Sequence, residues 1–382
     1  TIFSMTDGWS SSDGTQKKII DFDAFEFGTG PVDGPNFSKG DSYYLATPLQ
    51  KSITDWWDAK ITPSYSHEKL FTFDPSFENS HITNRTYTID VQNNLDLGEY
   101  FSATFGGEYQ VLNGVNNESD LRKTIYEQGY YLQTQFNHED RIILTAGFRQ
   151  DINSKFEDKL TYKFEGAYRF KEYGTRLRAA AATGFRAPTL NDLFFPGFSN
   201  PNLKPEESES WEVGFDQKFF DDRVEIGTTY FDSDLTNLIQ FDFATSMPEN
   251  VGKATSQGLE NYLKVAVTKS LDVSLNYTWN QAEDDDGVPL RRRAKHKFTA
   301  TAYHTWNKLN SLVSVIYKSD IRDGVGVGAD GFTRVRAALS YRVLDNLTVT
   351  ARGENLFDED YEEIPGFGTA DVSGYAGFVF TF

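Results

Sequence analysis

The chain has 382 residues and a formal charge of −19, and aromatic residues make up 15% of it, as 32 Phe, 20 Tyr and 6 Trp. With no Cys there is no disulfide framework, thiol nucleophile or Cys-built zinc or iron–sulfur site. The acidic balance argues against an extended nucleic-acid surface, the absence of any apolar run beyond four residues against a membrane-spanning helix, and the aromatic content against disorder.

Residues 1–16 lack a basic start followed by an apolar core, so they do not read as a signal peptide, and the chain is expected to begin as a mature product or a fragment. From there on the recurring period is two. Phe101, Ala103, Phe105, Gly107 and Tyr109 alternate with Ser102, Thr104, Gly106 and Glu108. Ile142, Leu144, Ala146 and Phe148 alternate with Ile143, Thr145, Gly147 and Arg149. The cleanest segment is Leu271–Asn280, with Leu271, Val273, Leu275, Tyr277 and Trp279 on one side and Asp272, Ser274, Asn276, Thr278 and Asn280 on the other. Leu347, Val349 and Ala351 alternate with Thr348, Thr350 and Arg352, and the final GYAGFVFTF puts Phe378, Phe380 and Phe382 on one face. A strand sends alternate side chains to opposite faces, so each segment is a strand with one apolar and one polar face.

Short polar turns are expected near Asn137–Asp140, Lys171–Gly174, Phe220–Asp222, Thr268–Ser270 and Leu344–Asn346. Long Gly-, Pro- and Asp-rich connections are expected near 185–207, 240–256, 281–296, 318–331 and 355–371. Short and long connections alternate, so a meander of hairpins has one tight end and one end with large loops. That is the pattern of an outer-membrane barrel, whose strands alternate apolar-out and polar-in. Lipid cannot satisfy backbone N–H and C=O groups, so a closed barrel is the sheet that spans. Tyr277, Trp279 and Trp306 suit the aromatic belt at the headgroup boundary. A soluble sandwich also alternates, but would not need such unequal connections over so many hairpins.

Several stretches resemble one family, the TonB-dependent outer-membrane receptors. They are GFRAPTLNDLF (184–194), NPNLKPEESESWEVGF (200–215), NVGKATSQGLE (250–260), LRRRAKHKF (290–298) and ENLFDEDYEE (354–363), in the family's order. PSYSHEKLFTFDP (63–75) extends the resemblance toward residue 20, and the branch it is most similar to is the cobalamin transporters. The terminal Phe resembles the signal read by the barrel assembly machinery.

The resemblance implies an all-β fold, a transmembrane antiparallel β-barrel of the outer membrane with long loops extracellular and short turns periplasmic. Family barrels have about 22 strands around an N-terminal plug. At about 40 residues per hairpin this chain supplies about 18 strands, so residues 1–382 are expected to be one barrel unit with the plug and first strands absent. Asp7-Gly8-Trp9 resembles a loop-to-strand junction lying too close to Asp23 for the strands expected between them, so residues are expected to be missing near Ser10–Gln16. The implied function is uptake of a scarce large ligand, cobalamin first and a ferric siderophore or haem second, through a plugged barrel energised by TonB. Implied partners are the plug, TonB through it, outer-membrane lipid and lipopolysaccharide, and the assembly machinery. A passive porin is the alternative, and no nucleic acid is expected.

Phe22-Asp23-Ala24-Phe25 resembles a stretch whose Asp helps hold calcium in cobalamin transporters, with Asp33 and Asp7 as helpers here. Calcium needs six to eight hard oxygens, and a solvated acidic loop is the plain alternative. The same alternative applies to Glu283–Asp286. Phe194, Phe195, Phe198 and Asn200 sit on a long loop; they contact a ligand over the mouth or pack the loop on the rim, and the sequence leaves both open. Arg149, Arg176, Arg178 and Arg352 fall on polar faces and should line the lumen, paired with plug carboxylates or, in an open barrel, biasing it toward anions. Gly326–Gly331 formally matches a dinucleotide fingerprint but precedes a strand, so a flexible loop is expected. Five scattered His and the lack of a G-x-S-x-G elbow select no enzyme chemistry.

Overall fold

The computed structural model describes residues 2–11, 37–73, 80–117, 121–195, 197–242, 245–324 and 326–381. The alternating segments become strands, the last as far as Phe380. The first are β1 (Ile2–Ser11), β2 (Phe37–Ala46), β3 (Leu49–Thr54), β4 (Trp57–Phe73), β5 (Ser80–Asp96), β6 (Phe101–Asn116), β7 (Leu121–His138), β8 (Ile142–Asn153), β9 (Lys159–Phe170) and β10 (Thr175–Arg186). A single turn of helix, α1 (Leu190–Phe194), precedes β11 (Glu206–Phe219), β12 (Val224–Asp242), β13 (Met247–Ala266), β14 (Leu271–Asp284), β15 (His296–Trp306) and β16 (Leu309–Lys318). A small hairpin, β17 (Ile321–Gly324) and β18 (Val327–Ala329), leads to β19 (Phe332–Leu344) and β20 (Leu347–Glu354). A second, β21 (Glu362–Ile364) and β22 (Phe367–Gly368), leads to the last strand, β23 (Ser373–Phe380).

Pairing is antiparallel throughout, each long strand hydrogen-bonding the next from β1 and β2 through β4–β16 to β19, β20 and β23. β2 and β3 are one strand interrupted at Thr47-Pro48. Ala46 faces Ser64, Leu49 faces Ile61, and Thr47 N–H still reaches the Pro63 carbonyl at 3.1 Å. Pro48 has no N–H to give the ladder, which is why the strand breaks there. Among the described residues no pairing joins β1 to β23.

Turns of two to four residues close one end of the sheet throughout, at 55–56, 97–100, 139–141, 171–174, 220–223, 267–270, 307–308 and 345–346, and the long connection between β10 and β11 lies at the other. Asn137 ties one of them, its amide giving to Asp140 and its carbonyl taking the Asp140 N–H, each at 2.9 Å. Trp306 stands at this end, whereas Tyr277 lies in mid-strand.

Three sequence expectations are corrected. The stretch 240–256 is not a long connection. β12 and β13 run 19 and 20 residues in one unbroken register from Val224↔Val265 to Asp242↔Met247. Pro248, Asn250 and Gly252 mimic a loop composition, but neighbouring groups described below hold this hairpin extended. Asp7-Gly8-Trp9 is not a loop-to-strand junction; it lies within β1, opposite Lys39–Asp41. Gly326–Gly331 is not wholly loop, since Val327–Ala329 form β18. Residues 12–16, where missing sequence was expected, lie outside the described residues.

Residues facing each other across a rung share a face. Phe105, Leu132, Phe148 and Tyr162 form one outward row across β6–β9, and Leu132 and Phe148 are 46% and 45% exposed. Three residues along, Glu108, Gly129 and Asp151 form an inward row. So much large apolar side chain left uncovered is an aggregation hazard in water and is at home in lipid.

Candidate functional site

The long connection after β10 folds back over the polar face. Arg186, the last residue of β10, and Glu206, the first of β11, close its base. Nε gives to Oε2 at 2.6 Å and Nη2 to Oε1 at 2.5 Å, and the Ile239 N–H adds a bond to Oε1 at 2.8 Å. Glu206 lies at the loop end, beyond Trp211 where the apolar outward row begins. Burial raises its pKa, but the Arg186 guanidinium and the Ile239 N–H outweigh burial and hold the carboxyl below its ordinary range.

Helix α1 starts at Thr189 with a capping box. Thr189 Oγ1 takes the Asp192 N–H at 3.1 Å and Asp192 Oδ2 takes the Thr189 N–H at 2.8 Å. Five residues cannot sustain a helix alone, so packing must hold it. Leu193 is 2% exposed and packs with Ile125 of β7 and Leu203, with Leu112, Leu190, Phe194 and Ile239 around them. Burying such a leucine stabilises by about 2 kcal/mol. The approach is close: a Cβ on Gly114 of β6 would lie 2.6 Å from Leu190 Cδ1. The connection therefore reaches the polar face of β6 and β7, strands well away from its own β10 and β11. Only a concave polar face allows this, so that face is the inside of the barrel.

Asparagines pin the far side. Asn200 Nδ2 gives to the Pro248 carbonyl at 3.1 Å. Asn250 exchanges bonds with Lys204, Nδ2 to the carbonyl at 2.9 Å and the N–H to Oδ1 at 2.8 Å, and gives to Asn237 O at 2.7 Å. These contacts, with Ile239 in the apolar cluster, keep the tip of β12 and β13 extended. Of the four loop residues singled out from sequence, Phe194 is in the cluster, with the ammonium groups of Lys123 and Lys155 at 5.1 and 5.8 Å from its ring centroid. Asn200 brackets the loop. Phe195 and Phe198 face each other at 6.2 Å between centroids, and Phe198 is 51% exposed. Between the loop and the inner wall lies a cleft of about 440 Å³, lined by Asn84, Thr86, Leu112, Glu127, Pro188 and Asn191 among others. It offers amides, the two carboxylates of Glu68 and Glu127, Arg85 and apolar surface together.

Below the mouth, long polar side chains lie flat across glycines of the next strand. Arg149 crosses Gly129, where a Cβ would sit 2.1 Å from Nη2, to reach Glu108 at 3.2 Å, and also holds Asp151 at 2.8 Å. Arg178 crosses Gly214 and gives to Thr229 Oγ1 at 2.6 Å. Tyr262 crosses Gly227. Asp216, 6% exposed, gathers Arg176 at 2.8 Å, Arg178 at 3.3 Å and the Tyr262 hydroxyl at 2.9 Å. Arg352 lies over the Tyr375 ring at 4.4 Å and meets Glu354 at 3.4 Å. Sequence reading missed Asp216, Tyr262, Asn250 and Leu193. The usable signal for the first two was glycine inside an alternating strand, which marks a close approach.

The remaining loops brace one another. Arg292 forks onto Asp323 at 2.7 and 3.0 Å, and Ala294 packs with Ile321 and Ala329. In the acidic run, Asp284 Oδ1 accepts the N–H groups of Asp286 and Val288, and Asp285 Oδ2 accepts that of Lys253. Among the described residues no group of three or more His, Cys, Asp or Glu is arranged for a metal. Asp23 and Asp33 lie outside the described residues, and Asp7 is placed by its backbone alone, opposite Asp41.

Residues 3–356 match the family model described as TonB dependent receptor-like, beta-barrel. Vitamin B12 transporter BtuB of Photobacterium profundum is 28% identical over 371 residues, 90% of this chain and 59% of that protein. Vitamin B12 transporter BtuB of Vibrio cholerae serotype O1 is 27% identical over 249 residues, 63% of this chain and 40% of that protein. The chain thus spans about half the length of the curated relatives it matches. Among solved structures, the ferric-catecholate import receptor Fiu of E. coli K12, in its closed form, superposes with a TM-score of 0.74 at 16% identity, covering 100% of this chain and 71% of that one.

Proposed function

This chain belongs to the TonB-dependent receptor-like β-barrel family, and from that premise we propose that it forms the barrel of an outer-membrane receptor importing cobalamin, with energy delivered through TonB. The observation that carries this reading is the 371-residue likeness to a vitamin B12 transporter. The family is one of transporters and receptors, and the barrel's work is binding, support and membrane anchorage rather than catalysis.

In this reading the long-loop end faces outward from the cell and the short turns face the periplasm. The exposed Phe198 and the cleft beside α1 meet the ligand first, since a corrin or similar macrocycle offers a large apolar face with amide edges. The plug is assigned to the part of the relatives' length that this chain does not span, and TonB acts on that plug. Calcium at Asp7, Asp23 and Asp33, lipopolysaccharide around the barrel and the assembly machinery belong to the same proposal.

The test is uptake of labelled cyanocobalamin by cells lacking their own transporter. Uptake that requires this protein and stops when the proton gradient is collapsed supports the reading. Growth on a ferric siderophore without cobalamin uptake would replace the ligand. Uptake that persists without the gradient would make the protein a passive pore.

A further inference from the structure

The outward face of the barrel carries charge in two separated arcs, each just beyond an aromatic rung on the side of the long connections. On β4–β7, Tyr65, Tyr87, Val111 and Tyr126 share one outward rung, and Tyr87 and Tyr126 are each 48% exposed. Rings so placed mark the headgroup boundary. The next outward rung holds His67, Arg85, Asn113 and Thr124, and the one after it Lys69, Thr83, Val115 and Arg122. These two rungs carry the cations Lys69, Arg85 and Arg122 and no carboxylate. Asp41 of β2 stands opposite Lys69 along the rung but forms no ion pair with it.

The second arc has the opposite sign. On β11–β14 the outward rung Val213, Tyr230, Leu259 and Trp279 is followed by Trp211, Asp232, Gln257 and Gln281, and then by Glu209, Asp234, Thr255 and Glu283. These two rungs carry four carboxylates and no cation. One rung further the charge is balanced again, since Glu207 holds Lys159 at 2.7 Å and Lys253 stands on the same rung. Among the described residues no ion pair or side-chain hydrogen bond reaches Lys69, Arg85, Arg122, Glu209, Asp232 or Asp234. Glu209 and Asp234, both exposed, face each other directly across a rung, and like charges so placed are destabilising.

We infer that the two arcs are the complementary halves of a contact between neighbouring copies of this chain, the β4–β7 face of one against the β11–β14 face of the next; this rests on the barrel standing in a membrane and not on its ligand. A membrane holds every copy at one depth and one orientation, so only features at the same height can meet. Both arcs lie one and two rungs beyond the aromatic ring row that sets that height. A phosphorylated lipid would offset the first arc and be repelled by the second, and a divalent cation would do the reverse. Another copy offsets both. Strands β8, β9 and β10 separate the two faces, so the contact joins unlike surfaces and its repetition builds a row or ring rather than a closed pair. Exposed ion pairs are individually weak, but several act together here, and confinement to a plane raises the effective concentration of the partner.

The test uses the full receptor in native outer membranes, with thiols introduced into a chain that has no Cys. Thr83→Cys lies in the first arc and Thr255→Cys in the second. With a short bismaleimide, neither single variant should give dimers, the two co-expressed should give dimers, and the double variant should give a ladder of multimers. Adding Lys69→Glu and Arg85→Glu should cut the ladder about tenfold, because like charges then meet across the contact. Further adding Glu209→Lys and Asp234→Lys should restore it. Raising salt from about 0.1 M to about 1 M shortens the screening length from about 10 Å to about 3 Å, and should weaken the ladder with no charge altered. No ladder from the double variant, dimers from Thr83→Cys alone, a ladder indifferent to salt, or a folded four-charge swap that fails to restore cross-linking would each overturn the inference. Loss of a co-purifying phosphorylated lipid on Lys69→Glu and Arg85→Glu, with the ladder unchanged, would assign the first arc to lipid and overturn it as well.

Discussion

Replacing Leu193 by Ala is expected to free the 187–205 connection while leaving the barrel intact. Leu193 is 2% exposed between Ile125 and Leu203, and a buried Leu→Ala change costs about 2–5 kcal/mol. A five-residue helix has little stability of its own, so nearly all of that loss falls on the docking of the loop. Taking about 3 kcal/mol, the undocked population rises by roughly a hundredfold. Limited proteolysis within 195–199 reads this directly, because cleavage follows the open population when reclosing is fast. Cleavage should rise about a hundredfold, while the heat-induced mobility shift of the folded barrel stays within a few degrees. Phe198→Ala, at a half-exposed position outside the cluster, should change cleavage by less than about threefold. If Leu193→Ala leaves cleavage unchanged, or unfolds the barrel outright, the loop is not held as a separate unit and the reasoning fails.

The Arg186–Glu206 clasp predicts a pH dependence. A carboxyl with a lowered folded pKa stabilises above its unfolded value, 4.5 for Glu, and the contribution is lost as pH falls through the folded value. Loop cleavage should be flat from neutral pH to about 5 and rise below about 4; Glu206→Gln should raise it at neutral pH and flatten the acid response. Gly227→Ala puts a methyl 2.1 Å from Tyr262 Cε1, part of a rigid ring, and should cost about 1–3 kcal/mol in barrel unfolding. Gly129→Ala meets the flexible end of Arg149 instead and should cost less; equal losses would count against the flat-lying arrangement. Asp216→Asn should lower barrel stability by about 2 kcal/mol in denaturant titration, because Arg176 and Arg178 lose their shared acceptor charge, and Tyr262→Phe should cost less.

The period-two pattern by itself determined the strands, their two faces and the tight end. Phe148 outward and Arg149 inward follow from alternation alone, since a strand offers each residue only two directions. Turn residues such as Asn137–Asp140 were equally legible, because their side chains bond their own backbone. Only the tertiary structure decided how far the 240–256 hairpin stays extended. Pro248, Asn250 and Gly252 read locally as loop, and the bonds that straighten them come from Lys204 and Asn200 of a distant connection. The same holds for the fate of Phe194, Phe198 and Asn200. One loop carries an apolar anchor, an exposed ring and a bracket, and which is which depends on where Gly114 and Ile125 stand on the opposite wall. The charge of the wall formed by β15, β16, β19, β20 and β23 lies between the two cases. Arg334, Arg336 and Arg352 are inward by alternation, but only the register shows that Lys297, Lys318, Arg334, Arg336, Arg342 and Arg352 share the inward face of these five strands with the single carboxylate Glu354, because neutralisation is a property of neighbouring strands and not of any one segment.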